Sequence, residues 1–210
     1  MLKMRKGSTV PHPEKLYPSY QIMGALSPDD PGETRQVISA NIDDDQMETA
    51  LRHFIEMHDE PLFFILEIPT NQKDEPKNKR GDIEKFHKDV YYIDGCEKSK
   101  ALDILRQVGE IVISDGMCQF GFGCHYSGEE IMIGKYNVAT LFVRDPAVYR
   151  DFFAKLGIPE TDKLVTAWET FSRWNPGDSV CFPVNGKDIY DIPEILKDRG
   201  IYFAERRESD

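Results

Sequence analysis

The sequence predicts an α+β fold: a mixed, largely antiparallel sheet with amphipathic helices packed on it. Three observations carry this. Segments with apolar residues at helical spacing occur between short runs rich in Val, Ile, Phe and Tyr. Three of those runs follow one another with only turn residues between them, the pattern of an antiparallel meander. No internal repeat or low-complexity linker divides the 210 residues, so the helices and strands share one core.

Taken in order, residues 1–33 hold Pro11, Pro13, Pro18, Pro28 and Pro31 with little apolar periodicity. They predict a surface or mobile segment without a site, ahead of a single domain over 34–210. Asp43-Asp44-Asp45 then predicts a helix start, and Met47, Leu51, Phe54 and Ile55 fall on its inner face. Pro61 opens a strand to about Ile68 whose nearly unbroken apolar content predicts the middle of a sheet. Residues 70–82 form a charged loop, and Val90-Tyr91-Tyr92-Ile93 resumes a strand.

A second amphipathic helix carries Ala101, Ile104, Leu105, Val108, Ile111 and Val112 and stops near Gly116. Strands over 117–125, 129–134 and 138–143 make the meander. Asp145-Pro146 puts a cap and a first-turn proline in their preferred places, with Tyr149, Phe152, Phe153 and Leu156 as the buried stripe. Thr161 is expected to cap a further helix bearing Leu164, Val165, Trp168 and Phe171 before Pro176. A strand near 179–183, a short helix from Pro193 and a last strand at 201–205 complete the reading.

The formal charge of −11 repels phosphate backbones and anionic lipid, which argues against nucleic acid and membrane surfaces; it first of all favours solubility, and it would also speed encounter with a basic protein partner or a cationic small molecule. The longest apolar run, 62–66, is too short to span a bilayer. Basic residues near Met1 lead into no apolar stretch, and four cysteines stand in no paired spacing. Together these predict a cytoplasmic protein with reduced thiols.

Cys118-Gln119-Phe120-Gly121-Phe122-Gly123-Cys124-His125 is the most unusual segment. Strand alternation puts Cys118, Phe120, Phe122 and Cys124 on one face, as core, and Gly121 and Gly123 on the other. Two missing side chains predict close approach there, either of a helix or of a ligand in a groove. The segment lacks the third glycine of a dinucleotide loop and the Lys-Ser/Thr of a phosphate loop. Along an extended strand, Cys118 and Cys124 stand roughly 20 Å apart, too far to share a metal ion. Cys124 and His125, as neighbours, point to opposite faces, which also argues against a Cys–His catalytic dyad; no metal and no cofactor is expected.

The enzyme reading therefore uses His125 as acid or base beside Gly121 and Gly123, with Glu129 or Glu130 orienting it or a cationic substrate. The binding reading uses the acidic surface with Tyr126, Tyr136 and Trp174 as contact aromatics. Because no convergent catalytic set is visible, the leading expectation is a non-enzymatic protein-binding or regulatory protein. Edge strands at 201–205 or 138–143 leave room for a homodimer.

Four passages resemble a family of bacterial cytosolic proteins of uncharacterised role: His58-Asp-Glu-Pro-Leu-Phe-Phe-Ile-Leu-Glu67, Phe86-His-Lys-Asp-Val-Tyr-Tyr-Ile-Asp-Gly95, Phe120 through Val138, and Gly186-Lys-Asp-Ile-Tyr-Asp-Ile-Pro193. The resemblance covers roughly residues 45–205. It implies a bacterial origin but no activity and no catalytic residues. In size and acidity the chain is also similar to immunity proteins that neutralise secreted toxins, an analogy of class rather than of motif.

Overall fold

The computed structural model describes residues 1–26 and 35–209. Pro28 and Pro31, and the expected boundary between 33 and 34, lie outside the described residues. In chain order the strands are β1 (Ser8–Thr9), β2 (Ser19–Leu26), β3 (Arg35–Asn41), β4 (Leu62–Pro69), β5 (His87–Cys96), β6 (Gln119–Cys124), β7 (Glu130–Ile133), β8 (Val138–Val143), β9 (Asp178–Ser179) and β10 (Tyr202–Glu208). The α-helices among the described residues are α1 (Asp44–Met57), α2 (Lys98–Ser114), α3 (Pro146–Lys155) and α4 (Ile192–Ile195). Eight strands form one sheet in the order β10-β5-β4-β6-β7-β8-β3-β2, with antiparallel neighbours throughout, and β1 pairs with β9 in a small second sheet. The expected α+β class is what forms.

The helices cover one face of the sheet. From α1, Met47, Ala50, Leu51, Phe54 and Ile55 meet the α2 stripe of Ala101, Ile104, Leu105, Val108 and Val112, and both rest on Phe64, Leu66, Phe120 and Phe122. The driving force is area removed from water, roughly 1.5–3 kcal/mol for each fully buried Leu, Ile or Phe side chain. Cys118 and Cys124 join this core as small hydrophobes. Burial pushes the Cys118 thiol up to about 12, so it stays protonated at neutral pH. The Asp145 carboxylate accepts from the Ala147 amide at 2.9 Å and starts α3 as its sequence predicts.

Several expectations are corrected. Residues 1–26 are not a surface strap: Leu2, Arg5, Val10, Leu16 and Tyr20 are buried, and β2 is an edge of the large sheet. Buried positions spaced this irregularly produce no periodic signal. Arg5 caps α2. Its guanidinium donates to the carbonyls of Val112 and Ile113 in the last turn, to those of Cys118 and Gly134, and lies 5.5 Å from the Phe120 ring centre. The negative end of a helix and carbonyls left without intrahelical donors thereby receive a cation in place of water.

At the start of α1, Asp43 occupies the capping position, but its carboxylate accepts from the Lys3 amide at 2.7 Å. The helix expected after Thr161 shrinks to one 3-10 turn over Ala167–Thr170, because the Thr166/Glu169 capping box starts it late and Phe171 is already extended. Trp168 is therefore 52% exposed rather than core. The strand expected near 179–183 is the two-residue β9. Residues 138–143 lie inside the sheet between β7 and β3, so only β10 of the two expected edge strands is an edge.

Candidate functional site: the open face of the sheet

Pleating and register determine what faces away from the helices. Phe63 lies opposite Gly123, Ile65 opposite Gly121 and Tyr92, and Glu67 opposite Gln119. The same rows continue to Glu130, Met132, Thr140 and Phe142, and Tyr202 of β10 stands opposite Tyr92. Partners in register share a face. No α-helix among the described residues packs on this side, where Phe63, Tyr92, Met132, Thr140 and Phe142 are partly exposed.

The glycines do not open the expected groove, nor do they seat a helix. A Cβ at Gly123 would overlap the Phe63 ring, and one at Gly121 would overlap the Ile131 carbonyl of β7. Gly123 exists so that Phe63 can lie flat across β6, and Gly121 lets β7 approach closely.

Phe63 is the centre of an aromatic ladder. Its ring centre is 4.9 Å from that of His125 and 6.0 Å from that of Tyr92, and Tyr92 stacks on Tyr202 at 6.4 Å. Asp94 ties the two ends together, accepting from the Tyr202 hydroxyl and lying 3.1 Å from His125 Nε2. The ladder runs from β10 through β5 and β4 to His125, the residue that follows β6, and Tyr126, 79% exposed, comes next at the rim.

Charge surrounds these rings. Burial, then the field of Glu130, raises the Tyr92 phenol; Glu67 and Glu205 act the same way and Arg207 opposes them. Glu130 itself is raised, first by burial and then by Glu67, against the pull of Arg35 and Arg207. A carboxylate held on a sheet face where its charge is disfavoured is costly to the fold and has the character of a functional group. Glu67 is compensated instead: it is ion-paired to Lys88 at 2.9 Å and to Arg207.

The remaining sequence candidates separate. Glu129 faces the helix side, not His125: its Oε2 is 3.1 Å from His58 Nε2, which the Tyr149 hydroxyl also meets at 3.1 Å, and its Oε1 accepts from the Arg144 amide. Burial pushes this carboxyl up, but its bonds from His58, Arg144 and Ser127 outweigh that and hold it below its ordinary range. His58, the C-cap of α1, is a 5% exposed joint between α1, α3 and the start of β7. Its partners lie 71 and 91 residues away, beyond the reach of sequence spacing.

Tyr136 is not a contact residue. It is 6% exposed, in left-handed backbone (φ 55°), with edge contacts to Trp168 and Phe171. Trp174 is 88% exposed with Arg173 over its ring, and among the described residues no ring contact links it to the ladder. Residues that the sequence did not single out, Phe63, Tyr92, Asp94 and Tyr202, make up most of the site. The signal for three of them was alternation: Phe63 and Tyr92 are the large residues on the off-core phase of β4 and β5, and Tyr202 continues the row in β10.

No helix among the described residues is long and apolar enough to cross a membrane. No family model, curated protein or solved structure matches the chain in comparison with known proteins.

Proposed function

We propose that the chain is a non-enzymatic protein-binding or regulatory protein that holds a basic segment of another protein against the open face of its sheet. The observation that carries this reading is the partly exposed ladder of Phe63, Tyr92, Tyr202 and His125, with Asp94 and Glu130 beside it, on a sheet face that no described helix covers. Large rings of few rotatable bonds anchor a partner at low entropic cost, and Tyr carries a hydrogen-bonding tip. Carboxylates at the ladder favour Lys or Arg across from them, and the net charge of −11 speeds the encounter. The immunity-like form of this proposal is that the held protein is inactivated by being covered. The filled space over Gly121 and Gly123 weighs against a catalytic groove along β6.

The test is capture from an extract of the source organism at low salt, with wild-type protein and a Tyr92→Ser/Tyr202→Ser variant as baits. A discrete partner that is retained by the wild type, released by salt and absent from the variant supports the reading. A partner retained equally by both, or none at all, overturns it.

A further inference from the structure

At the opposite end of the same sheet face lies a cavity of about 240 Å³. Glu67 of β4, Lys88 of β5, Gln119 of β6 and Thr140 of β8 contribute to its lining, Lys135 from the turn after β7 stands at one side, and Trp168 forms a wall. The volume lies just below the ordinary range for small-molecule sites, which suits a ligand smaller than a drug-sized compound.

Its polar groups are unequal. Glu67 is the one carboxylate in the lining among the described residues, and it is saturated by Lys88, Arg207 and Gln119. The Lys135 ammonium and the Thr140 hydroxyl have no hydrogen-bond or ion-pair partner among the described residues. Of the groups left to a ligand, Lys135 is a cation that can only donate, the Thr140 and Ser209 hydroxyls can donate or accept, and Gln119 Oε1 is the one side-chain acceptor among the described lining residues. In a protein of net charge −11 the Lys135 cation is a local reversal of sign. Beside the donors, the half-exposed indole of Trp168 and the side chains of Val138 and Met117 offer an apolar wall. An acceptor at one end and an apolar body at the other is what such a lining selects.

We propose that this cavity binds a small organic carboxylate, its carboxylate on Lys135 and Thr140 and its apolar, ring-sized body against Trp168. The site is separate from the aromatic ladder, and it stands whether or not a protein occupies that ladder.

Phenylacetate is the probe, with 2-phenylethylamine as the cationic control, each titrated into full-length Trp174→Phe protein so that Trp168 is the sole indole. Calorimetry reads binding and the emission of Trp168 reads its location. The expected result is saturable heat with a blue shift as the indole is dehydrated, for the carboxylate alone. Lys135→Met should weaken it about tenfold, as loss of a charge-assisted contact does, while Lys135→Arg, which keeps the charge, stays within about threefold of the parent. No saturable binding of phenylacetate, equal binding of the amine, or an unchanged affinity in Lys135→Met would each overturn the proposal.

Discussion

Replacing Arg5 by Met keeps most of the side-chain stem and deletes the guanidinium, leaving the carbonyls of Val112, Ile113, Cys118 and Gly134 without that donor in a site where Arg5 is 1% exposed. Each buried acceptor left unmade costs about 1–3 kcal/mol. Against this, the folded state no longer has to strip water from a charge. The difference is a loss of about 3–5 kcal/mol, the range for breaking a buried charged contact. At about 2–4 °C per kcal/mol for a domain of this size, Arg5→Met should melt about 6–20 °C below wild type. Circular dichroism melts, with urea unfolding at 25 °C for ΔG, are the assay. Arg5→Lys should recover part of the loss, since it restores the charge but not the fork of donors. A melting temperature for Arg5→Met within about 2 °C of wild type would refute the claim that the N-terminal segment is fastened by this residue.

Three further outcomes follow from the sheet and its charges. Glu129, held below its ordinary value of 4.5, contributes stability that is present above that value and lost as pH falls through its lowered one; stability measured from pH 6 down to pH 2 should therefore fall less steeply in Glu129→Gln, which starts lower at pH 6. Glu130 is shifted the other way, so its ionisation opposes folding: Glu130→Gln should be more stable than wild type at pH 7, with the gain fading as pH drops through the raised Glu130 value, and it should weaken capture of a basic partner. Gly123→Ala should destabilise by roughly 1–3 kcal/mol by displacing the Phe63 ring, and the same substitution in a Phe63→Ala background should cost far less; additive losses in that double-mutant cycle would contradict the overlap.

Much of the helix layer was legible in the sequence because a helix repeats its buried face. The stripes of α1, α2 and α3 and the Asp145 cap are local signals, and the structure uses them as read. The same rule misled at Leu164, Val165, Trp168 and Phe171, where helical spacing coincides with a loop containing a single 3-10 turn. The antiparallel pair of β2 and β3 gives only a weak sequence signal, because the alternation of Tyr20 with Ile22 and of Ile38 with Ala40 is short and flanked by prolines. A buried arginine has no sequence signature at all, because the carbonyls that make its burial tolerable come from residues more than a hundred positions away.

The position of the glycine face is legible in the sequence, but its occupant is not. Alternation placed Gly121 and Gly123 away from the core, but the occupant of the space is decided by register with β4, which sequence cannot supply. For the same reason the candidates His125, Glu129, Glu130 and Tyr136, close in sequence, scatter to the rim, the helix side, the open face and the core beneath Trp168. Of these only His125 joins the ladder, whose other rings are brought together across strands by pairing.

Oxidative footprinting of the chain alone and in complex with the captured partner tests the central claim most directly. The open-face account predicts that Phe63, Tyr92, Tyr202 and His125 lose reactivity on complex formation while Tyr17 and Tyr190, exposed at 56% and 37%, keep theirs. Protection confined to Tyr17, Tyr190 or Val148, with the ladder as reactive as in the free chain, would contradict it.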